Sequence, residues 1–147
     1  MAIVSETKMN VFDCHTDVVV VPVNTVGVMG KGLALAYKQK YPLGYQRYVE
    51  YCHSHLLVVG QPILHSEPFI KPTLFFPTKQ HWKAPSKTEW IDSGLRYFSE
   101  RAEQGSFRSY AFVPLGCGNG GLDYRNEVRP LLYKYLEPLS VDCFICF

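Results

Sequence analysis

The hydrophobic pattern of this chain is strongest at residues 18–23, where five valines and one proline follow one another without a polar residue. The run is too short for a buried helix, and it lacks the alternation of a strand with one solvent-exposed face. It is typical of a strand that is buried on both faces, as in a parallel sheet covered by helices. Pro22 has no amide hydrogen to donate, so we expect sheet pairing to stop near it.

The rest of the chain alternates between strand-like and helix-like patterns. Further short strands are predicted within residues 2–11 and at 57–59 with 63–64, 73–76, 110–113 and 141–147. Apolar residues at helical spacing predict helices over 33–41, 43–55, 91–102 and 124–137. Residues 86–89 fit a capping box that would start the third helix, Gly105 fits its end, and Pro130 predicts a kink or break in the last helix. This order predicts an α/β domain with helices on both faces of a mostly parallel sheet.

Composition narrows the class of protein. The 147 residues are 47% hydrophobic and 19% charged, which fits one globular domain over residues 1–147. A net charge of +2 suits an anionic ligand but is lower than a dedicated nucleic-acid binder usually carries. The sequence contains no signal peptide or membrane-spanning run, and its five cysteines lack the spacing of a disulfide framework. We therefore expect a cytoplasmic monomer with no membrane contact.

Two glycine-rich segments follow predicted strands, at residues 27–32 and 116–121. Glycines let backbone amides approach an anion closely, and the helix that follows offers its N-terminus. Neither segment fits a common nucleotide motif. In the first, Lys31 is followed by Gly32 where a P-loop needs Ser or Thr, and the second is followed by too few residues for a complete Rossmann domain. Together they favour two loops that bind one diphosphate from opposite sides.

Three motifs carry a resemblance to a known family: VNTVGVMGKGLA at residues 23–34, FPTK with HW within 76–82, and PLGCGNGGLD at 114–123. In this order they resemble the macrodomain of the DarG antitoxin type over nearly the whole chain. The resemblance implies the macrodomain fold, a three-layer α/β/α sandwich with a mixed, mostly parallel sheet of about six strands. It also implies ADP-ribose as ligand and an activity that hydrolyses ADP-ribose from thymidine in single-stranded DNA, reversing modification by a DarT-like toxin. It implies neither a cofactor nor a metal.

The resemblance implies roles for individual residues. Asn10 would read the adenine amino group beside the amide of Val11, and Asn24 would hold the distal ribose next to the catalytic Lys79. Related vertebrate glycohydrolases that act on glutamate esters pair this lysine with an aspartate, whose place is nearest to Gly120 here, so ester chemistry is less favoured. The other implied ADP-ribose contacts are Thr25, Gly27, Val28, Met29, Gly30, Lys31, Gly32, Thr78, Gly116, Cys117, Gly118, Asn119, Gly120, Gly121 and Leu122.

Two chemical roles are open for Lys79. A neutral amine could attack the anomeric carbon, which burial favours and nearby phosphates oppose. A protonated amine could instead donate to the leaving base or to the ribose ring oxygen while Asn24 fixes the sugar. The residues alone favour neither role.

Other chemistry-bearing residues have competing interpretations. His81, Trp82 and Lys83 combine stacking aromatics with a cation, as single-strand binders do, although a partly packed Trp on a solvated loop fits nearly as well. Cys143 and Cys146 have the spacing of a metal or redox pair, but residues three apart in a strand face opposite sides, which favours two buried core thiols. Cys52 with the histidines at 53 and 55 ends a helix without a second ligand pair, so we predict no metal site there.

Two further functions stay open from the sequence. The protein could bind ADP-ribose without hydrolysing it, or it could hydrolyse a small ADP-ribose metabolite or protein-linked ADP-ribose. The Lys79 motif argues against the first, and the segment 81–83 would have no role in the second.

Overall fold

The computed structural model describes residues 3–147, and its centre is a six-stranded sheet. The strands stand in the order β1-β6-β5-β2-β4-β3, and all neighbours are parallel except β3 and β4. This confirms the predicted mixed, mostly parallel sheet. The strands are β1 (Val4–Thr7), β2 (Val18–Asn24), β3 (Ile63–His65), β4 (Thr73–Lys79), β5 (Ser109–Phe112) and β6 (Asp142–Cys146).

Helices cover both faces of the sheet, as the three-layer prediction required. Tyr37 and Tyr48 pack on one face and Ile91 and Leu132 on the other, each in its own hydrophobic cluster. The helices are α1 (Gly32–Lys40), α2 (Pro42–His53), α3 (Thr88–Ala102) and α4 (Arg129–Leu136), with a 3-10 turn at Val11–Asp13 and a π-helical turn at Tyr124–Val128. None of the described helices is both long and apolar enough to cross a membrane.

The central strand β2 supplies side chains to both layers. Val18 and Val20 pack with α3 and α4, whereas Val19 and Val21 pack with α1 and α2, and all four are buried. The valine run is therefore a strand with two buried faces, as predicted.

The cysteines of β6 confirm the prediction that residues three apart in a strand face opposite sides of the sheet. Cys143 lies in the cluster under α3 and α4, and Cys146 lies in the cluster under α1 and α2. Both thiols are buried, and within residues 3–147 no group of three His, Cys, Asp or Glu side chains is placed to hold a metal ion.

Pairing along β2 differs between its two neighbours. The ladder with β5 ends at Val19, but the ladder with β4 continues past Pro22 and reaches Asn24 after a bulge. The prediction that pairing ends near the proline is right for one neighbour and wrong for the other. The bulge makes Lys79 the ladder partner of Asn24.

Two local predictions need correction, and a third is confirmed. No strand forms at 57–59, because Gly60, at φ +85°, reverses the chain and leaves a single bridge between Val58 and Gln61. The capping box is wrong, since Lys87 precedes the first helical residue of α3 and the Ser86 hydroxyl makes no cap. The break that Pro130 predicts in the last helix is confirmed: the segment divides into the π-helical turn and α4, and Pro130 lies at the start of α4, where its missing amide costs nothing.

Candidate functional site

A cleft of about 1620 Å³ lies where parallel strands reach their carboxyl ends. Its walls include the ends of β2 and β4 and the segments that follow β2, β4 and β5. This is where ligands bind in open α/β sheets, because strand ends and helix starts leave backbone groups unpaired there. Two of its walls are the first glycine loop (residues 25–31) and the second glycine loop (residues 116–122).

The first glycine loop is folded around the side chain of Asn24. Its Oδ1 accepts from the amides of Val26 (3.1 Å) and Val28 (3.3 Å) and from the Tyr48 hydroxyl (2.7 Å). Its Nδ2 donates to the Val28 carbonyl at 2.8 Å. The carboxamide therefore fixes the loop, and the second hydrogen of Nδ2 is what it has left to offer a ligand.

The N-terminus of α1 opens into the cleft without a cap. Lys31 precedes the helix and makes no side-chain capping bond. The amides of Gly32, Leu33 and Ala34 have no hydrogen-bond partner within residues 3–147, and all three residues line the cleft. Unpaired amides and the helix dipole attract an anion.

The second glycine loop presents backbone amides in a similar way. Internal bonds join the amide of Leu122 to the Gly116 carbonyl (3.0 Å) and the amide of Gly121 to the Gly118 carbonyl (3.4 Å). In the part of the chain that the structure describes, the amides of the three residues from Gly118 to Gly120 make no such bond, and these residues line the cleft. The loops approach each other where a methyl group on Gly32 would lie 3.9 Å from Asn119 Nδ2.

Lys79 lines the same cleft as these anion-binding surfaces. It ends β4 beside Asn24, lines the cleft, and donates to the Trp82 carbonyl at 3.3 Å. Burial is the main cause that lowers the pKa of Lys79, and the charge of Lys31 lowers it further. A larger share of neutral amine than an ordinary lysine has is therefore available at this position.

Comparison with known proteins now identifies the fold family. The macro domain family profile matches residues 20–130. The chain belongs to the macro domain family. A "DNA ADP-ribosyl glycohydrolase" from Thermus aquaticus is 39% identical over 134 residues, which are 89% of this macrodomain but 37% of that protein. The macrodomain thus spans less than two fifths of that relative.

Two solved structures are close in shape. The macrodomain of Thermus aquaticus DarG superposes with a TM-score of 0.93 at 34% identity, covering 100% of this chain and 99% of that one. Thermosipho africanus DarTG in complex with ADP-ribose gives 0.94 at 34% identity, covering 99% and 42%. The resemblance to DarG macrodomains that the motifs predicted is confirmed.

An exposed tryptophan stands on the rim of the macrodomain cleft. Trp82 is 44% exposed and stacks on His81 at a centroid distance of 5.4 Å. Lys83 Nζ lies 4.8 Å from the centre of the Trp82 ring. Trp82 and Lys83 line the cleft, whereas His81 does not.

Sequence reasoning missed a charged group on the side of the cleft formed by β1 and the π-helical turn. Glu6 accepts from Arg129 Nε (3.0 Å) and Nη2 (3.2 Å) and from the Tyr124 hydroxyl. The hydrogen bonds from Arg129 and then Tyr124 lower the pKa of Glu6, and burial raises the pKa of Tyr124. Glu6 and Arg129 are far apart in sequence, so no local pattern could indicate this ion pair.

The cleft brings together most of the predicted site residues. Its walls include Asn10, whose Oδ1 accepts from the Phe12 amide at 2.9 Å, together with Val11, Asn24, Val28, Gly30, Lys31, Gly32, Thr78, Lys79, Trp82, Lys83, Gly116, Cys117, Gly118, Asn119 and Gly120. The walls do not include Thr25, Gly27, Met29, His81, Gly121 and Leu122. Met29 is buried beneath the first loop, and Thr25 donates to the Gln80 carbonyl at 3.0 Å. The contacts of these residues with ADP-ribose stay predictions.

Proposed function

We propose that this macrodomain removes ADP-ribose from thymidine in single-stranded DNA by hydrolysing the bond between the distal ribose and the base. The observation that carries the proposal is the position of Asn24 and Lys79 as ladder partners in a cleft that is also lined by the free amides at the start of α1 and in the second glycine loop. The relative from Thermus aquaticus that bears the name of this activity supports it.

The geometry suggests a division of labour within the cleft. The amides at the start of α1 and in the second glycine loop would bind the diphosphate from two sides. The distal ribose would then lie between Asn24 and Lys79, and the adenosine would extend toward Asn10 and Val11. Lys79 would act either as a neutral nucleophile or as a proton donor to the leaving base.

The other reactive groups in the cleft are poorly suited to the reaction. Among the described wall residues, Glu6 carries the one acidic side chain, and Arg129 and Tyr124 already occupy it. Burial raises the pKa of Cys117 to about 11, so its thiol is neutral at pH 7. We therefore assign the chemical step to Lys79.

The charge of the cleft favours a substrate with more phosphates than ADP-ribose alone. The one acidic side chain, Glu6, is accompanied by five cationic side chains among the described wall residues: Lys31, Lys79, Lys83, Arg125 and Arg129. A polyanionic strand gains from such a lining, and the exposed ring of Trp82 offers a stacking surface for an unpaired base. Both features support DNA over a small metabolite.

The decisive test is turnover of a single-stranded oligonucleotide that carries ADP-ribosyl thymidine. We expect Lys79→Ala to lose at least about a hundredfold in rate, because positioned acid–base or nucleophilic groups contribute that much, while calorimetry still detects ADP-ribose binding. Lys134→Ala, on the exposed surface of α4, serves as the matched control and should keep the wild-type rate. If the wild type binds ADP-ribose but leaves the modified oligonucleotide unchanged, the hydrolase proposal is wrong. The remaining function is then binding of ADP-ribose without hydrolysis.

A second substitution separates DNA from small substrates. Trp82→Ala should reduce turnover of the modified oligonucleotide by about five- to a hundredfold, the value of one base stack, and should leave the affinity for free ADP-ribose unchanged. Trp90→Ala, in α3 and outside the cleft walls, is the control. Unchanged turnover in the Trp82 variant would favour a small-metabolite or protein-linked substrate.

We propose further that a DarT-like toxin supplies the modified DNA, and that the macrodomain works as a cytoplasmic monomer without a cofactor. ADP-ribose would leave as the product. The Thermosipho africanus structure, a DarTG protein in complex with ADP-ribose, supports the pairing with such a toxin. Co-expression of the macrodomain with a DarT-type transferase should restore growth, and the Lys79→Ala variant should not.

A further inference from the structure

Ser86 holds a buried hydroxyl without a partner. The residue is 5% exposed, and among the buried side-chain nitrogen and oxygen atoms of residues 3–147 its Oγ is the one that makes no hydrogen bond. Buried hydroxyls are nearly always paired, because an unpaired one costs about 1–3 kcal/mol. A buried serine hydroxyl without a hydrogen-bond partner therefore needs a physical explanation.

The hydroxyl faces the second glycine loop. The Ser86 amide donates to the Gly120 carbonyl at 3.0 Å and fastens the residue to the loop. A methyl group on Gly120 would lie 2.4 Å from Ser86 Oγ and 2.3 Å from the Gly116 carbonyl oxygen. The hydroxyl and this carbonyl therefore approach the same point next to Gly120, although they are not bonded to each other.

The helix that follows makes no use of this hydroxyl. The sequence around Ser86 predicts a cap for α3, but α3 begins at Thr88 after Lys87, without a side-chain capping bond. The free amides of the three residues from Gly118 to Gly120 lie in the loop that the hydroxyl faces. An anion on these amides would draw this backbone toward itself and change its position relative to Ser86.

We propose that Ser86 is a positioning residue of the diphosphate site, whose hydroxyl donates to the Gly116 carbonyl oxygen when the second glycine loop closes on the diphosphate of ADP-ribose. This inference rests on the proposed function. The Gly116 carbonyl already accepts from the Leu122 amide at 3.0 Å, and its second lone pair can accept the hydroxyl. Neither Gly116 nor Gly120 carries a side chain that could stand between the hydroxyl and this carbonyl.

The consequence is that ligand binding satisfies a group that the free protein leaves unpaired. The bond made in the complex adds to the affinity for the diphosphate, and its loss should weaken ADP-ribose binding about three- to tenfold. The free protein should not suffer from the same loss, because there the hydroxyl has no partner to lose. Removal of the hydroxyl should therefore lower the affinity for ADP-ribose without lowering the stability of the free protein.

The test compares wild type, Ser86→Ala and the control Ser99→Ala, whose hydroxyl bonds within α3 to the Arg96 carbonyl at 2.9 Å. We expect Ser86→Ala to melt at the same or a higher temperature without ligand, and to bind ADP-ribose about three- to tenfold more weakly by calorimetry. On the modified oligonucleotide its KM should rise while kcat changes little, because the bond acts on binding rather than on the chemical step. Ser99→Ala should match wild type in all three measurements.

Each other outcome overturns the inference in a distinct way. Equal ADP-ribose affinity of wild type and Ser86→Ala would mean that the hydroxyl stays unpaired in the complex. A lower melting temperature of the free variant would mean that the hydroxyl already has a partner in the free protein. Absence of ADP-ribose binding by the wild type would instead overturn the proposed function, and the inference with it.

Discussion

The two glycine loops line the same cleft but are built by opposite means. The first loop is organised by one side chain, since the Asn24 carboxamide bonds the backbone of Val26 and Val28 and rests on Tyr48. The second loop is held by its own backbone bonds and by close packing at Gly116 and Gly120 that leaves no room for a side chain.

This difference shows that two loops lining one ligand site can depend on opposite features. The first loop depends on a side chain that is present, and the second depends on the absence of side chains. The first loop should lose its shape when the Asn24 side chain is shortened, because the partly buried backbone donors and acceptor of Val26 and Val28 then lose their partner. The second loop should lose its shape when a methyl group is added, because the added atom would overlap its neighbours. A substitution by alanine therefore removes a needed side chain in the first loop, whereas in the second loop it adds a methyl group for which there is no room.

The largest effect is expected from Asn24→Ala. It removes four hydrogen bonds from a site that is 8% exposed, and we expect the free energy of unfolding to fall by about 2–4 kcal/mol. The measurement is urea denaturation followed by circular dichroism. The control is Asn119→Ala in the exposed part of the second loop, expected within about 0.5 kcal/mol of wild type. Equal losses in the two variants would contradict the comparison.

A smaller loss is expected from Gly120→Ala. Its methyl group would lie 2.3 Å from the Gly116 carbonyl oxygen, and the overlap should cost about 1–3 kcal/mol of unfolding free energy and weaken ADP-ribose binding. Gly118→Ala is the matched control, because no atom lies within 4 Å of its added methyl group. Denaturation and calorimetry of both variants measure the difference. If Gly118→Ala were as damaging, crowding would not be what holds this loop.

The smallest effect is expected from Lys31→Ala in the first loop. The Lys31 charge lowers the pKa of Lys79 less than burial does, so the pKa of Lys79 should rise in the variant but stay below the ordinary value. A pKa lowered on folding disfavours the ammonium form, so Lys79 costs stability below its folded pKa. This cost declines as the pH rises above the folded pKa and disappears above the higher pKa of the unfolded chain.

The pH dependence of kcat on the modified oligonucleotide measures the change. The limb that reports Lys79 should move to higher pH in Lys31→Ala, whichever protonation state is active. Lys38→Ala, an exposed lysine later in α1, should leave that limb in place. If the limb of the pH profile stays at the same pH in Lys31→Ala, the ammonium groups of Lys31 and Lys79 do not interact.

Features encoded in short sequence patterns could be predicted. The six-residue run in β2 indicated a strand buried on both faces, and the spacing of Cys143 and Cys146 placed them on opposite faces of β6. Each conclusion follows from strand periodicity alone. The motif resemblance then supplied the fold family and most of the cleft walls.

Features that depend on the order of the strands, or on competition between contacts, could not be predicted from the sequence. Glu6 and Arg129 meet because the sheet and the π-helical turn bring them together, and no local pattern records that. Asn24 and Lys79 become ladder partners only through a bulge. Ser86 fits a helix cap by sequence, yet tertiary packing turns it toward the second glycine loop.

The strand order also has a consequence for how the chain folds during synthesis. β1 pairs with β6, and the Ile3 amide donates to Asp142 Oδ1 across 139 residues of sequence. On the ribosome, β1 must therefore wait for nearly all of this chain to emerge before it gains its partner. We infer that β2, β4 and β5 assemble first, and that the joining of β1 to β6 completes the sheet as a late, slow step.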